Sequence, residues 1–230
     1  MFTGIMITGG CFWYLAYILI IRVSARDRTI GMPLIGVAVN LCWEFTFTFV
    51  EPYPLGLKWS ITIWFCLDLV IVYQTLLYGP GQFPKLSRRT FYAAFALAVA
   101  LAFPLVMAVN HSFRDPWGLY SAYFDNLMFS VMFIAMLYSR GSSKGQSVGI
   151  AVCKLVGTAV VALSFALYPS AFPHSPLLWL LWGSCLVVDT VYLMALSRVC
   201  AAERRAAGLA RQSWFTRAGR LAPAAPGQTP

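Results

Sequence analysis

Pro33-Leu-Ile-Gly-Val-Ala-Val-Asn-Leu-Cys-Trp-Glu-Phe-Thr-Phe-Thr-Phe-Val50, followed at once by Glu51-Pro52-Tyr53-Pro54, decides how this chain folds. Proline has no amide hydrogen for a helix and disfavours helical geometry in the residue before it, so the two proline sites delimit one helical segment. The segment is apolar, and close to the roughly 20 residues a helix needs to cross the hydrocarbon core of a bilayer. It also carries an acid, Glu44, beside Trp43 and Phe45 and near Phe47. Near the bilayer centre an acidic side chain costs about 2.5–3.5 kcal/mol even on lenient insertion scales, so a carboxyl kept there points to function.

The rest of the chain follows the same pattern. Hydrophobic residues make up 60% and charged residues 11%, and the mean hydropathy is +0.71. A soluble domain carries about 25% charged residues. The composition predicts an all-α integral membrane bundle, with one transmembrane domain over 1–200 and a tail over 201–230 that is basic and then disordered. Seven spans are expected, at 3–21, 33–50, 59–78, 90–109, 118–138, 148–168 and 176–197. Gly79-Pro80-Gly81 closes the third, Asp115-Pro116 precedes the fifth, and Pro169, Pro173 and Pro176 mark the turn before the seventh. Pro104 falls inside the fourth and is expected to kink it. Asp68, Asp125 and Asp189 repeat the Glu44 pattern in the third, fifth and seventh spans, and the four carboxyls are expected to face one shared interior.

Basic residues test the number of crossings independently. One set of intervals holds Arg22, Arg26 and Arg28, then Lys85, Arg88 and Arg89, then Arg140 and Lys144, and the tail adds six more from Arg198 to Arg220. The alternate intervals hold only Lys58 and Arg114, and Lys154 lies inside the sixth span. Lys and Arg accumulate on the cytoplasmic side. This places the N-terminus outside and the C-terminus in the cytoplasm, which requires an odd number of crossings.

The net charge of +9 is explained by that bias, and the basic residues lack the aromatic interleaving of a nucleic-acid groove, so no nucleic-acid partner is expected. The N-terminus has no basic region ahead of its apolar stretch and reads as a retained first helix. The six cysteines are scattered without metal-ligand spacing and read as small buried hydrophobes. His111 and His174 fall between spans, apart from a second ligand type, so no metal is expected. Walker, Rossmann and nucleophile-elbow patterns are absent, as is any repeat.

Spacing arranges the acids among aromatic rings. Asn40 and Glu44 are four apart and share a helix face, with Phe47 continuing the stripe and Trp43 beside it. The amide can orient the carboxyl, or the pair can simply hold two helices together. Trp182, Cys185, Asp189 and Tyr192 share a face of the seventh span, and Trp64 stands one turn before Asp68. Asp125 lies in Tyr123-Phe-Asp-Asn126. Lys154 is a candidate to neutralise Asp68 or Asp125.

With Asn40-x-x-Trp-Glu44 in the second of seven spans, Trp64-x-x-Leu-Asp68 in the third and Trp182-x6-Asp189-x-x-Tyr192 in the seventh, the chain resembles the small integral-membrane terpene cyclases of fungal meroterpenoid and indole-diterpene pathways and their bacterial relatives. The resemblance covers residues of about 1–197. It implies cyclisation of a prenyl chain already joined to an aromatic or indole-alkaloid head group, begun by protonating an epoxide or a terminal alkene. The family's two essential acids fall on Glu44 and Asp189.

The chemistry of the residues agrees with this. Protonating an alkene or epoxide requires a neutral carboxylic acid, which an apolar cavity favours. Aromatic faces stabilise a migrating carbocation and a dry wall delays its quenching. No diphosphate is ionised, so no metal and no other cofactor is expected. Asp189 is the expected deep donor and Glu44, oriented by Asn40, its helper or the final base, or the reverse; Trp43, Phe47, Trp64, Asp68, Asp125, Trp182 and Tyr192 support them. Short loops and the Ala/Arg-rich tail favour a bacterial cytoplasmic membrane over the endoplasmic reticulum. The alternative is a proton- or ion-coupled transporter, since proton relays also use intramembrane acids.

Overall fold

The computed structural model describes residues 1–54, 57–168 and 175–221, with side chains described through residue 208. Seven α-helices and no strand occur among the described residues: α1 (Phe2–Asp27), α2 (Leu34–Phe45), α3 (Lys58–Gln82), α4 (Arg88–Phe113), α5 (Leu119–Arg140), α6 (Val148–Leu167) and α7 (Pro176–Leu221). A π-helical turn, Thr46–Val50, continues α2. Six of the helices are long and apolar enough to span a membrane, and Leu34–Val50 forms a shorter apolar helical segment.

The proline boundaries act as expected at α2, where Pro33 is the extended residue before the first turn, and at α7, which begins on Pro176. A proline at the first helical position loses no intrahelical bond. The expected stop at Gly79-Pro80-Gly81 falls short: α3 runs through Pro80 to Gln82. The ring of Phe91 fills the space where a Cβ on Gly79 would sit, so α4 packs against this end of α3. Pro104 lies inside α4 without ending it, and His111 belongs to its last turn. Ser87 and Ser147 cap α4 and α6, each accepting from the amide three residues on. The backbone of α7 continues past the expected span end to Leu221. There Glu203 accepts from Ser143 N at 2.8 Å, tying α7 to the α5–α6 loop. Pro169, Pro173, His174 and residues 222–230 lie outside the described residues.

Six helices close a ring, because α1 packs on α3, α3 on α2, α2 on α5, α5 on α7, α7 on α6 and α6 back on α1. The α1–α6 contact is the most extensive. Its closeness depends on small residues: a Cβ on Gly9 would meet Val161 Cγ2 at 2.7 Å and the Gly157 carbonyl at 3.1 Å. Small residues let membrane helices approach and gain van der Waals contact where no hydrophobic drive separates helix from lipid. α4 packs mainly against α2, outside the ring. Its Leu97, Leu101 and Leu105 are about 60% exposed on one face, a stripe suited to lipid.

Candidate active site

The ring encloses a cavity of about 310 Å³, at the lower end of the roughly 300–1,000 Å³ of small-molecule sites. Side chains of α1, α2, α3, α5 and α6 and the segments beside them form its wall, and among the described residues α7 contributes none. Aromatic rings dominate, among them Trp13, Tyr14, Trp43, Trp64, Trp117 and Phe129. Exposed Ile7, Cys11 and Trp59 also line it, so the cavity reaches the outer surface between α1 and α3.

Two acid centres differ in their surroundings. In the first, Tyr17 Oη donates to Glu44 Oε1 at 2.7 Å. Asn40 Nδ2 donates to Tyr17 Oη at 2.6 Å and to Glu44 Oε1 at 3.0 Å, with Asp68 Oδ2 at 3.3 Å. Two amide hydrogens thus serve three acceptors. Glu44 is 2% exposed, lines the cavity, and leaves Oε2 without a hydrogen-bond partner. No ion pair reaches Glu44, Asp68 or Asp125 among the described residues.

The wall beside Glu44 is fixed by backbone geometry. Trp43 Nε1 donates to the Gly118 carbonyl at 3.1 Å. Gly118 holds φ +63°, and a Cβ there would strike the Phe47 ring. Glycine adopts that conformation without the steric cost of a side chain. The π-helical turn begins two residues after Glu44, and such bulges are frequent at functional sites. Within it Thr46 Oγ1 donates back to the Cys42 carbonyl at 2.8 Å. Tyr53 and Trp117, from the loops at this end, stack edge to face at 5.7 Å and close the cavity over Trp43.

In the second centre Asp189 is ion-paired. Lys154 Nζ lies 2.6 Å from each of Asp189 Oδ1, Asn126 Oδ1 and Ser130 Oγ. Lys154 and Asp189 are 2% and 1% exposed, and Asp189 is absent from the cavity wall.

Of the residues expected from sequence, the fold brings Asn40, Trp43, Glu44, Trp64 and Asp125 to the cavity wall. Asp68 stands behind them, reached through Asn40. Phe47 lies off the wall, where Trp43 at 4.8 Å, Tyr53 at 5.4 Å and Gly118 take up its ring. Trp182, Cys185, Asp189 and Tyr192 do share a buried face of α7. That face meets α5 and α6, with Trp182 on Tyr123 at 6.0 Å and Tyr192 stacked on Phe133 at 5.3 Å. Tyr192 Oη donates to Gln146 Oε1 in the α5–α6 loop, far along α7 from Trp182. Lys154 pairs with Asp189 and not with Asp68 or Asp125. Tyr17 and Thr158 went unremarked in the sequence. Tyr14 and Tyr17, three apart on α1 and directly preceded by Trp13, were the available signal for a polar face there.

Among the described residues no three His, Cys, Asp or Glu side chains gather as a metal site. No solved structure matches the chain. The Pyr4-like transmembrane terpene cyclases match residues 1–201 as a family. The Pyr4-family terpene cyclase mfmH of Annulohypoxylon moriforme is 32% identical over 178 residues, 74% of each chain. Asnovolin H synthase nvfL of Aspergillus novofumigatus is 29% identical over 181 residues, 74% of this chain and 73% of its own. Terpene cyclase atmB of Aspergillus flavus is 28% identical over 215 residues, 85% of each chain. These matches favour a cyclase over the transporter alternative. The chain belongs to the Pyr4-like transmembrane terpene cyclases, and is a multi-pass membrane enzyme of that family.

Proposed function

We propose that this cyclase acts on a prenyl chain already attached to an aromatic or indole-alkaloid head group, and that Glu44 starts the reaction by protonating a terminal alkene or epoxide. The observation that carries the reading is the asymmetry of the Glu44 carboxyl. A neutral carboxylic acid accepts at its carbonyl oxygen and donates from its hydroxyl. Both hydrogen-bond partners of Glu44, Tyr17 and Asn40, donate to Oε1, while Oε2 is buried without a partner in a residue that lines the cavity. The proton then belongs on Oε2.

Proton transfer leaves a tertiary cation on the prenyl chain and a carboxylate on Glu44. Tyr17 and Asn40 stabilise that carboxylate by hydrogen bonds strengthened as its charge develops. Rings such as Trp43, Trp64 and Phe129 offer their faces to the cation as it moves through the ring closures. Loss of a proton from carbon ends the reaction, so an alkene or epoxide substrate is isomerised without change of mass. Asp189, held by Lys154, acts at one remove from the reacting atoms. No nucleic acid, metal or other cofactor enters this scheme.

The placement of the basic residues supports an N-terminus outside and a C-terminus in the cytoplasm. Short loops and the Ala/Arg-rich tail support a bacterial cytoplasmic membrane, although the relatives named above are fungal. The test is incubation of membranes containing the protein with farnesylated indole alkaloids and their terminal epoxides, followed by chromatography and mass spectrometry. The expected result is a cyclised product of unchanged mass. Folded protein that turns over no prenylated substrate overturns the reading.

A further inference from the structure

Lys154 is a cation 2% exposed inside a bilayer-spanning helix, and its three ammonium hydrogens have three acceptors at 2.6 Å. We propose that Lys154 is a positioning residue for cyclisation and that Asp189 acts through it: the pair fixes the Asn126 amide in the cavity wall and leaves no uncompensated charge behind it. This rests on the cyclase reading above.

Asn126 and Thr158 both line the cavity, whereas Asp189 does not. Lys154 takes the Asn126 carbonyl oxygen, and Asn126 Nδ2 donates to Thr158 Oγ1 at 2.9 Å. The amide is therefore held in one orientation, with its oxygen turned to the ammonium. A carbocation reacts with whatever lone pair it meets, so tying that oxygen to Lys154 removes a nucleophile from the wall.

Asp189 has the complementary task. Lys154 Nζ also sits 5.7 Å from the centroid of Trp13, another ring of the cavity wall. Without its counter-ion the ammonium would set a full positive charge against a ring that must hold the substrate cation. Asp189 Oδ1 supplies that counter-ion at 2.6 Å, and its Oδ2 has no hydrogen-bond partner. A loss of activity on changing Asp189 then follows from a stranded ammonium, because removing one member of a buried pair leaves the other charge unpaired, while removing both is often tolerated.

The experiment compares Asp189→Asn, Lys154→Met and the double variant Asp189→Asn/Lys154→Met in membranes, with wild type and Glu44→Gln as controls. Each single variant is expected to lose about 100-fold or more in turnover, because each strands one buried charge behind the cavity wall. The double variant restores charge balance but not the hold on Asn126, so turnover is expected to recover to within about tenfold of wild type while the product mixture stays altered. A double variant present at wild-type yield but as inactive as Asp189→Asn overturns the proposal, since the carboxylate itself would then be required. Asn126→Leu is a second arm that leaves the ion pair in place. It is expected to shift the product mixture toward early-quenched or isomeric products, and an unchanged product profile at any rate overturns the role given to the amide. An inactive wild type would instead refute the cyclase reading, so the two failures are distinguishable.

Discussion

Glu44 and Asp189 are both buried carboxyls in one helical bundle, 2% and 1% exposed, yet their neighbours give them different capacities. Glu44 stands on the cavity wall, takes two neutral donors on one oxygen and leaves the other free. Asp189 stands behind the wall, bound to an ammonium. The first arrangement suits an acid that must release a proton, and the second suits a fixed counter-charge. Residue type alone does not distinguish them; the cation on the next helix does.

The largest expected effect falls on the Glu44 side. Glu44→Gln keeps the shape and the donors but removes the acidic proton, and is expected to lower turnover by about 10²–10⁴-fold, the usual contribution of a positioned general acid. Measured turnover in membranes of equal protein content checks this. Comparable rates for Glu44→Gln and wild type would erase the contrast between the two carboxyls.

Gly118→Ala tests the support for that wall. The left-handed backbone alone costs about 1–2 kcal/mol with a side chain, and the new Cβ would also strike Phe47. A lower melting temperature in detergent is expected, together with loss of cyclisation as Trp43 shifts. Tyr17→Phe sharpens the comparison further by removing one of the two donors to Oε1. A hydrogen bond of about 1 kcal/mol corresponds to a loss of about fivefold in rate, read in kcat, with the fold intact.

The smallest effect is structural. Asp115 accepts from Trp117 N at 3.0 Å and Tyr120 N at 2.8 Å, covering orphan amides at the start of α5, the helix that carries both Asp125 and Asn126. Burial raises its carboxyl above the usual carboxylate range against the pull of those amides. Asp115→Ala is expected to cost about 1 kcal/mol, seen in thermal unfolding, with the product profile unchanged.

Much of this was legible from residue pattern. Pro33 and Pro176 mark helix starts because proline suits a first turn, and Asn40 and Glu44 meet because four residues make about one turn. The buried face from Trp182 to Tyr192 followed from the same periodicity. What periodicity does not hold is which helix lies opposite. Tyr17 reaches Glu44 across 27 residues, and Lys154 reaches Asp189 across 35, through a ring closure set by glycine-mediated packing of α1 on α6. Hence Asp189, one of two candidate donors, sits behind the cavity, and the Phe47 ring is taken up by Trp43, Tyr53 and Gly118, partners that a 3.6-residue period does not reveal.

Cyclisation in heavy water, run with wild type and Glu44→Gln, tests the proposed role of Glu44 most directly. Protonation of a terminal alkene by an exchangeable acid should leave one deuterium bound to carbon in the wild-type product. An epoxide substrate would carry it only on a hydroxyl, from which it washes out. Glu44→Gln is expected to yield almost no product from either substrate; labelled product formed by Glu44→Gln at the wild-type rate would contradict Glu44 as the initiating acid.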